Sequence, residues 1–270
     1  MDLTDTKIAV LGTGQMGGAL VRGWAKAGLL TPANMRLYDV RAEAARTLAD
    51  ETGAAAFAEA TEAVAGADVV LVAVKPYVAA ERLRTLSTAL PVGSLVISIA
   101  TGITLKTLEQ SIGFETPVVR VMPNTPALVG EGASAFCRGT HADEEDAARV
   151  TALFSAVGRC VEVTEAQIDA VVGVSGSGPA YFYLLIEALS DGGVRAGLPR
   201  DVARTLAAQT ALGAAKMILE TGQHPAVLKD AVTTPGGTTM AALGVLESSG
   251  VRGALMDAVR AAADRSKELG

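Results

Sequence analysis

Aromatic residues make up only 4% of this 270-residue chain, and there is a single tryptophan, Trp24. A core built from such a sequence is mostly small and aliphatic. Alanine-rich stretches such as 201–215 suit it, since Ala has the best helix propensity. Cysteine is scarce: Cys137 and Cys160 are too few for a disulfide scaffold, and a chain of this length does not need one. The two histidines, His141 and His224, have no Cys or His partner at metal-ligand spacing, so no metal site is expected. Basic runs are missing and the net charge is −6, which removes the electrostatic footprint of a nucleic-acid binder. The uncharged stretch 170–186 carries Gly173, Gly176, Gly178 and Pro179, and it falls short of the roughly 20 apolar residues of a membrane span. The opening residues, Met1 to Lys7, are polar and acidic, unlike a secretory leader. A reducing, cytoplasmic compartment follows, with no membrane or nucleic-acid partner.

What the chain does have is alternation. At 50% apolar and 19% charged it is a folded protein. Strand-like runs at Ile8–Leu11, Met35–Tyr38, Ala54–Phe57, Asp68–Val74, Leu95–Ala100 and Val118–Met122 are separated by helical patterns at 17–27, 42–51, 61–65, 78–90 and 105–112. Continuous apolar strands such as Val69–Ala73 point to a parallel sheet covered on both faces. Later strands are expected at Ala133–Cys137 and Cys160–Val163, flanking a helix over 143–157. The acidic run Asp143–Asp146 reads as a solvated helix start. No strand is expected beyond Val163, where helices punctuated by Gly and Pro take over, and His224-Pro225 is placed to cap one of them. The expected division is therefore 1–163 and 164–270. The fold class is α/β: a doubly wound, mainly parallel sheet first, then an all-helical domain.

The first strand runs straight into Gly12-Thr13-Gly14-Gln15-Met16-Gly17 and then a helix. This G-x-G-x-x-G spacing gives each glycine a duty: Gly12 the tight turn, Gly14 a close approach to a pyrophosphate, Gly17 close helix–strand packing. With 29 glycines in the chain the motif alone is weak. Its context is specific: a strand before, a helix after, and Asp39 closing the second strand roughly 20 residues past Gly17. A Rossmann-type dinucleotide domain is expected. Asp39 suits the ribose hydroxyls of NAD, whereas Arg41 would clamp a 2′-phosphate, and the sequence leaves both open. Ligands of open α/β sheets lie beyond the carboxyl ends of the strands. That places Ala73-Val74-Lys75-Pro76, Ile99-Ala100-Thr101 and the Pro-bracketed loop Asn124-Thr125 at the cofactor. Lys75 reads equally well as an ordinary exposed lysine, and the 122–126 loop as a plain turn.

Two segments stand out in the second half. Gly173–Phe182 is rich in small residues and opens a helix. Val232-Thr233-Thr234-Pro235-Gly236-Gly237-Thr238-Thr239 sets two glycines and four hydroxyls before an apolar helix. Backbone N–H groups at such a start can hold a carboxylate without an arginine. A Thr-capped turn is the plainer alternative.

The run from Leu228-Lys229-Asp230-Ala231 through Thr239, followed by Ala242-Leu243 and Leu246-Glu247, resembles the signature of pyrroline-5-carboxylate reductases. Gly12–Gly17, Ala73–Pro76, Met122–Pro126, Gly130-Glu131-Gly132, Ser175–Tyr181 and Asp191-Gly192-Gly193 agree with that family in order and spacing. The resemblance implies NAD(P)H-dependent reduction of 1-pyrroline-5-carboxylate to L-proline, the last step of proline biosynthesis. NADPH is the usual cofactor, with NADH open. The resemblance further implies a helical C-terminal domain that forms an interlocked homodimer; in some members five dimers assemble into a decamer. Residue by residue, it gives Thr239 a hydrogen bond to the ring nitrogen and assigns the carboxylate to backbone N–H groups of Gly237 and Thr238. Thr234 and Glu165 become further substrate contacts. Asp39 and Ala231 depart from the family, which often has a small polar residue at the first position and in several members Asn, near the cofactor, at the second.

A β-hydroxyacid dehydrogenase shares the two-domain plan, but carries G-x-x-G-x-G-x-x-x-K with the lysine as acid/base for an alcohol. Here Gly173, Gly176 and Gly178 are followed by Phe182 where that lysine belongs. An imine can dispense with such a lysine. Another imine reductase, or a non-catalytic dinucleotide sensor on the same fold, are the other readings.

Overall fold

Short branched-aliphatic runs become strands here because both of their faces can be buried. The computed structural model describes residues 1–113 and 115–269. Strands β1 (Ile8–Leu11), β2 (Met35–Tyr38), β3 (Ala55–Ala56), β4 (Val69–Val72), β5 (Leu95–Ser98) and β6 (Val118–Met122) alternate with helices α1 (Gln15–Ala27), α2 (Ala42–Thr52), α3 (Ala60–Val64), α4 (Pro76–Leu86) and α5 (Leu105–Ile112). The six strands pair in parallel in the order β3-β2-β1-β4-β5-β6, a doubly wound sheet. Strand β7 (Gly132–Arg138) then pairs antiparallel to β6. After helix α6 (Glu144–Ser155), strand β8 (Gly158–Glu162) closes the edge parallel to β7.

Every residue of β1, β4 and β5 is buried, and successive residues feed opposite faces. Ile8, Val10, Leu71 and Ile97 pack with Trp24 and Phe154 on one side. Ala9, Leu11, Val70 and Val96 pack with Leu83 and Leu108 on the other. Trp24 satisfies its one polar atom by donating to the Leu153 carbonyl at 2.7 Å. The acidic start of α6 is a cap: the Asp143 carboxylate accepts from the Glu145 and Asp146 N–H groups.

Beyond Glu162 the chain is helical: α7 (Ile168–Val171), a π-helical turn at Val172–Gly176, α8 (Gly178–Arg195), α9 (Arg200–Thr221), α10 (Pro225–Ala231), α11 (Thr238–Ser248) and α12 (Val251–Leu269). His224 caps α10, its Nδ1 accepting from the Ala226 N–H. The secondary structure changes after Glu162, but the compact units part later. One unit is Met1–Gly176 with the chain's end from Ala262, and the other is Ser177–Ala261. The reason is packing: Ile168 is buried in the apolar cluster beneath the sheet, and the Ser266 hydroxyl donates to Asp169 at 2.7 Å. Among the described residues, no helix is long and apolar enough to cross a membrane.

The 177–261 unit has little interior. Gly178, Ser190, Ala203 and Ala207 are its buried residues among those described, while Phe182, Leu184, Leu206, Leu212 and Met256 are exposed. Helices α8 and α9 form a close hairpin, in which a Cβ on Gly193 would meet the Ala203 methyl at 3.0 Å.

Candidate active site

The turn after β1 is shaped by what its glycines exclude. Gly12 has φ +105°, donates its N–H to the Tyr38 carbonyl at 2.8 Å, and has the Ala73 carbonyl where a Cβ would go, at 2.6 Å. Gly17 lies 2.1 Å, by the same construction, from the Gly12 carbonyl, so α1 can press against the loop only as glycine. Gly14 is different: nothing lies within 4 Å of its missing Cβ, and it starts α1 without a side-chain cap. The first turn of α1 thus has no side-chain cap, and Gly14, Gln15 and Met16 line open space, as a pyrophosphate site requires.

A cleft of about 740 Å³ opens there, at the carboxyl ends of the strands. Gly12, Gly14, Gln15 and Met16 form one side, with Asp39 and Arg41 beyond β2. Ala73, Val74, Lys75 and Pro76 form the floor, with Lys75 just before α4 and Pro76 its first residue. Ile99, Ala100, Thr101 and Asn124 form the far wall. Of the expected cofactor residues, Thr13 and Gly17 do not line the cleft. Gly17 packs behind the loop, and Thr13 turns to Asp39, donating from N at 2.8 Å and from Oγ1 at 3.1 Å to Oδ2. Asp39 also accepts the Arg41 N–H at 2.9 Å. Burial alone would raise its carboxyl, but the bonds from Arg41 and Thr13 outweigh this and hold it below the usual range. Asn124 forms the wall by shape: its Oδ1 accepts from Ala133 N at 2.8 Å and its Nδ2 donates to the Ser175 carbonyl at 3.0 Å.

Sequence reasoning missed Tyr38, Val40, Tyr77 and Arg82, which also line the cleft. Arg82 lies over the Tyr38 ring, 5.6 Å from its centroid. Its signal was the helix face: Lys75, Val78 and Arg82 recur at helical spacing from a strand end. It also missed Arg120, a guanidinium inside the apolar strand β6. Its side chain is only 8% exposed and it reaches Glu165 Oε1 at 3.2 Å. Glu165 is 37% exposed and takes the Leu105 N–H on the same oxygen, at 2.6 Å. Expected as a substrate contact, Glu165 thus ties the first helical turn to the start of α5 and to β6. Beside this pair, burial pushes the Cys137 thiol up to about 12, so it is inert at neutral pH.

The hydroxyl-rich loop lies in the 177–261 unit. Gly236 has φ +67°, and a Cβ on Gly237 would fall 2.3 Å from Thr234 Oγ1. The Gly237 N–H donates to the Thr234 carbonyl at 2.9 Å. This corrects one expectation: that N–H closes the turn, and Gly237 contributes room instead of a donor. Helix α11 starts at Thr238 with no side-chain cap, so the N–H groups of Thr238, Thr239 and Met240 are those a helix start leaves without an intrahelical acceptor. Among the described residues no cluster of His, Cys, Asp and Glu could hold a metal ion.

Known proteins show the same two parts. Residues 165–269 match the family model described as pyrroline-5-carboxylate reductase dimerisation, and residues 7–102 one described as NADP oxidoreductase, coenzyme F420-dependent. The chain is 46% identical to a pyrroline-5-carboxylate reductase of Methanosarcina acetivorans, over 99% of both chains. It is 46% identical to that of Arabidopsis thaliana, over 97% of this chain and 95% of the other. Among solved structures, a pyrroline-5-carboxylate reductase from Coxiella burnetii superposes with a TM-score of 0.94 at 35% identity, covering 98% of each chain. A pyrroline carboxylate reductase of Plasmodium falciparum with NADP bound gives 0.87, also at 35% identity and 98% coverage of each. A full-length likeness at this level, joined to an uncapped glycine loop and a hydroxyl-rich helix start, places the chain in the pyrroline-5-carboxylate reductase family.

Proposed function

We propose that this protein reduces 1-pyrroline-5-carboxylate to L-proline with NADPH, the closing step of proline biosynthesis. The observation that carries the reading is the start of α11, where bare first-turn N–H groups and two threonine hydroxyls stand together in a chain of this family. Phe182, in the place of the lysine that alcohol chemistry would need, also favours an imine.

When bound, NADPH supplies the hydride. The chain's residues position and polarise. Gly14 and the first turn of α1 receive the pyrophosphate; Lys75, Thr101 and Asn124 bound the rest of the dinucleotide. The substrate carboxylate sits on the N–H groups of Thr238 and Thr239, where the helix dipole favours an anion. The Thr239 hydroxyl accepts from the ring N–H and so fixes the imine carbon. A threonine hydroxyl has no useful pKa near neutrality, so it orients an iminium already protonated rather than acting as the acid. Thr234 and Glu165 complete the substrate contacts.

The part from residue 164 onward serves as the dimerisation and substrate domain. Its exposed apolar helices are covered by a second copy, since a monomer rarely leaves so much apolar surface in water. Assembly of five dimers and a cytoplasmic location belong to the same reading. The test is product analysis: incubation with 1-pyrroline-5-carboxylate and NADPH should yield L-proline and NADP⁺ in equal amounts. Folded protein that binds NADPH and yields no proline would overturn it.

A further inference from the structure

A proline leaves one carbonyl of the chain in need of a donor, and a residue of the cleft wall provides it. The π-helical turn 172–176 runs into α8, whose second residue is Pro179. In a continuous α-helix the Ser175 carbonyl would accept the N–H four residues on, but Pro179 has none. A main-chain carbonyl without its helical donor must find another partner. Asn124 Nδ2 donates to it at 3.0 Å. The other end of the same side chain, Oδ1, takes the Ala133 N–H at 2.8 Å, beyond the last β6–β7 pair of Met122 with Ala135. Both polar ends of Asn124 are thus engaged by backbone, and the residue is only 7% exposed. A close contact lies beside this tie. Gly176 and Met122 line the same cleft, and a Cβ on Gly176 would meet Met122 Cε at 2.8 Å. Met122 Sδ in turn lies 3.8 Å from Thr101 Oγ1. The π-helical turn is therefore seated against the carboxyl ends of β5 and β6. With the pyrophosphate at the glycine loop and the adenosine half beyond β2, the nicotinamide half falls on this side of the sheet.

We propose that Asn124 is a positioning residue for the hydride transfer. By holding the Ser175 carbonyl it keeps the π-helical turn seated on Met122, and so fixes the wall beside the nicotinamide. It bonds neither cofactor nor substrate. Slippage of that wall leaves the rest of the dinucleotide site intact, so binding survives while the reacting atoms lose their alignment, and the loss falls on the rate. This rests on the proposed reduction with NADPH and not on which residues hold the substrate.

The test separates placement from binding. Asn124→Ala should bind NADP⁺ in calorimetry within about threefold of the wild type, yet lower kcat by about tenfold to a hundredfold. In the cofactor-free protein, amide hydrogen exchange over 172–178 should speed up while that of the glycine loop stays unchanged. Asn124→Asp keeps the shape and changes one end. One oxygen still accepts from Ala133, while the other meets the Ser175 carbonyl, which it bonds when protonated and repels when ionised. The kcat of this variant, as a ratio to the wild type at each pH, should be highest at low pH and fall as the new carboxyl ionises. Burial and the facing carbonyl raise that ionisation above the ordinary carboxylate range. The charged residues lining the cleft, Asp39, Arg41, Lys75 and Arg82, are common to both proteins, so the ratio isolates the new group. An Asn124→Ala variant with kcat within about threefold of the wild type, or with unchanged exchange over 172–178, overturns the proposal. So does a loss of NADP⁺ affinity of about tenfold or more, which would make Asn124 a cofactor contact. Should Asn124→Ala fail to fold, Asn124→Asp decides, and a ratio independent of pH overturns the proposal. Wild-type protein that binds NADP⁺ and does not reduce 1-pyrroline-5-carboxylate would instead overturn the reading on which the proposal stands.

Discussion

The two units of the chain solve the burial problem in opposite ways. The sheet unit has an apolar interior on both faces, with β1, β4 and β5 wholly buried and Trp24 satisfied inside. The 177–261 unit has helices of similar apolar content, and its large side chains face outward. On the proposed reading the units draw their stability from different sources: side chains of the same chain in one case, a second copy in the other. It also sorts the duties. In the proposed function a sheet edge holds the dinucleotide, and a helix start with bare N–H groups holds the substrate.

The sharpest way to break this contrast is to place charge on the outward face. Leu212 and Leu219 are exposed and two turns apart on one side of α9. Leu212→Glu with Leu219→Glu should dissociate the oligomer, seen by light scattering, while NADP⁺ affinity of the sheet unit survives. Unchanged mass would show that this face is not covered. In the sheet unit a far milder change does global damage: Leu71→Ala, fully buried on β4, should cost about 3 kcal/mol in chemical denaturation.

The division of duties predicts a smaller, split effect. Thr239→Ala should lower kcat by about a hundredfold, with the NADPH dissociation constant unchanged. Wild-type turnover would remove Thr239 from the chemistry. At the Arg120–Glu165 pair, Glu165→Ala should cost about 2–3 kcal/mol, below the range for a fully buried pair because Glu165 is 37% exposed. The variant should lose substrate affinity too. The smallest effect concerns Ser134, a buried hydroxyl on β7 that finds no partner among the described residues. Ser134→Ala should be neutral or stabilise by about 1 kcal/mol, whereas a loss of that size would mean the hydroxyl is bonded after all.

Much of the sheet was legible in the sequence because its signals are local. The bounds of β1, β2 and β6 match the runs expected, since Gly12, Asp39 and Pro123 stop them. At the edge, Ala54–Phe57 shrinks to the two residues of β3, which pair with β2 alone. The glycine loop was legible for the same local reason, down to the tight turn at Gly12 and the close packing at Gly17. What escaped depends on contacts distant in sequence. Arg82 lies over the Tyr38 ring, and Glu165 bonds to Leu105 and Arg120, which lie 60 and 45 residues away. The Gly237 N–H is a different case: one turn bond, to Thr234, decides whether it is a donor to ligands. In α9 and α11 of the 177–261 unit, apolar residues lie around the helix instead of on one face. The pattern therefore marks them as covered without showing by what.

Hydride transfer from NADPH to an imine carbon can be followed by supplying 1-pyrroline-5-carboxylate with NADPH deuterated at the transferring position and examining the product by mass spectrometry and NMR. The product should be L-proline carrying one deuterium, on the carbon next to nitrogen that was the imine carbon. Proline without deuterium, or no proline from protein shown to bind NADPH, would contradict such a transfer.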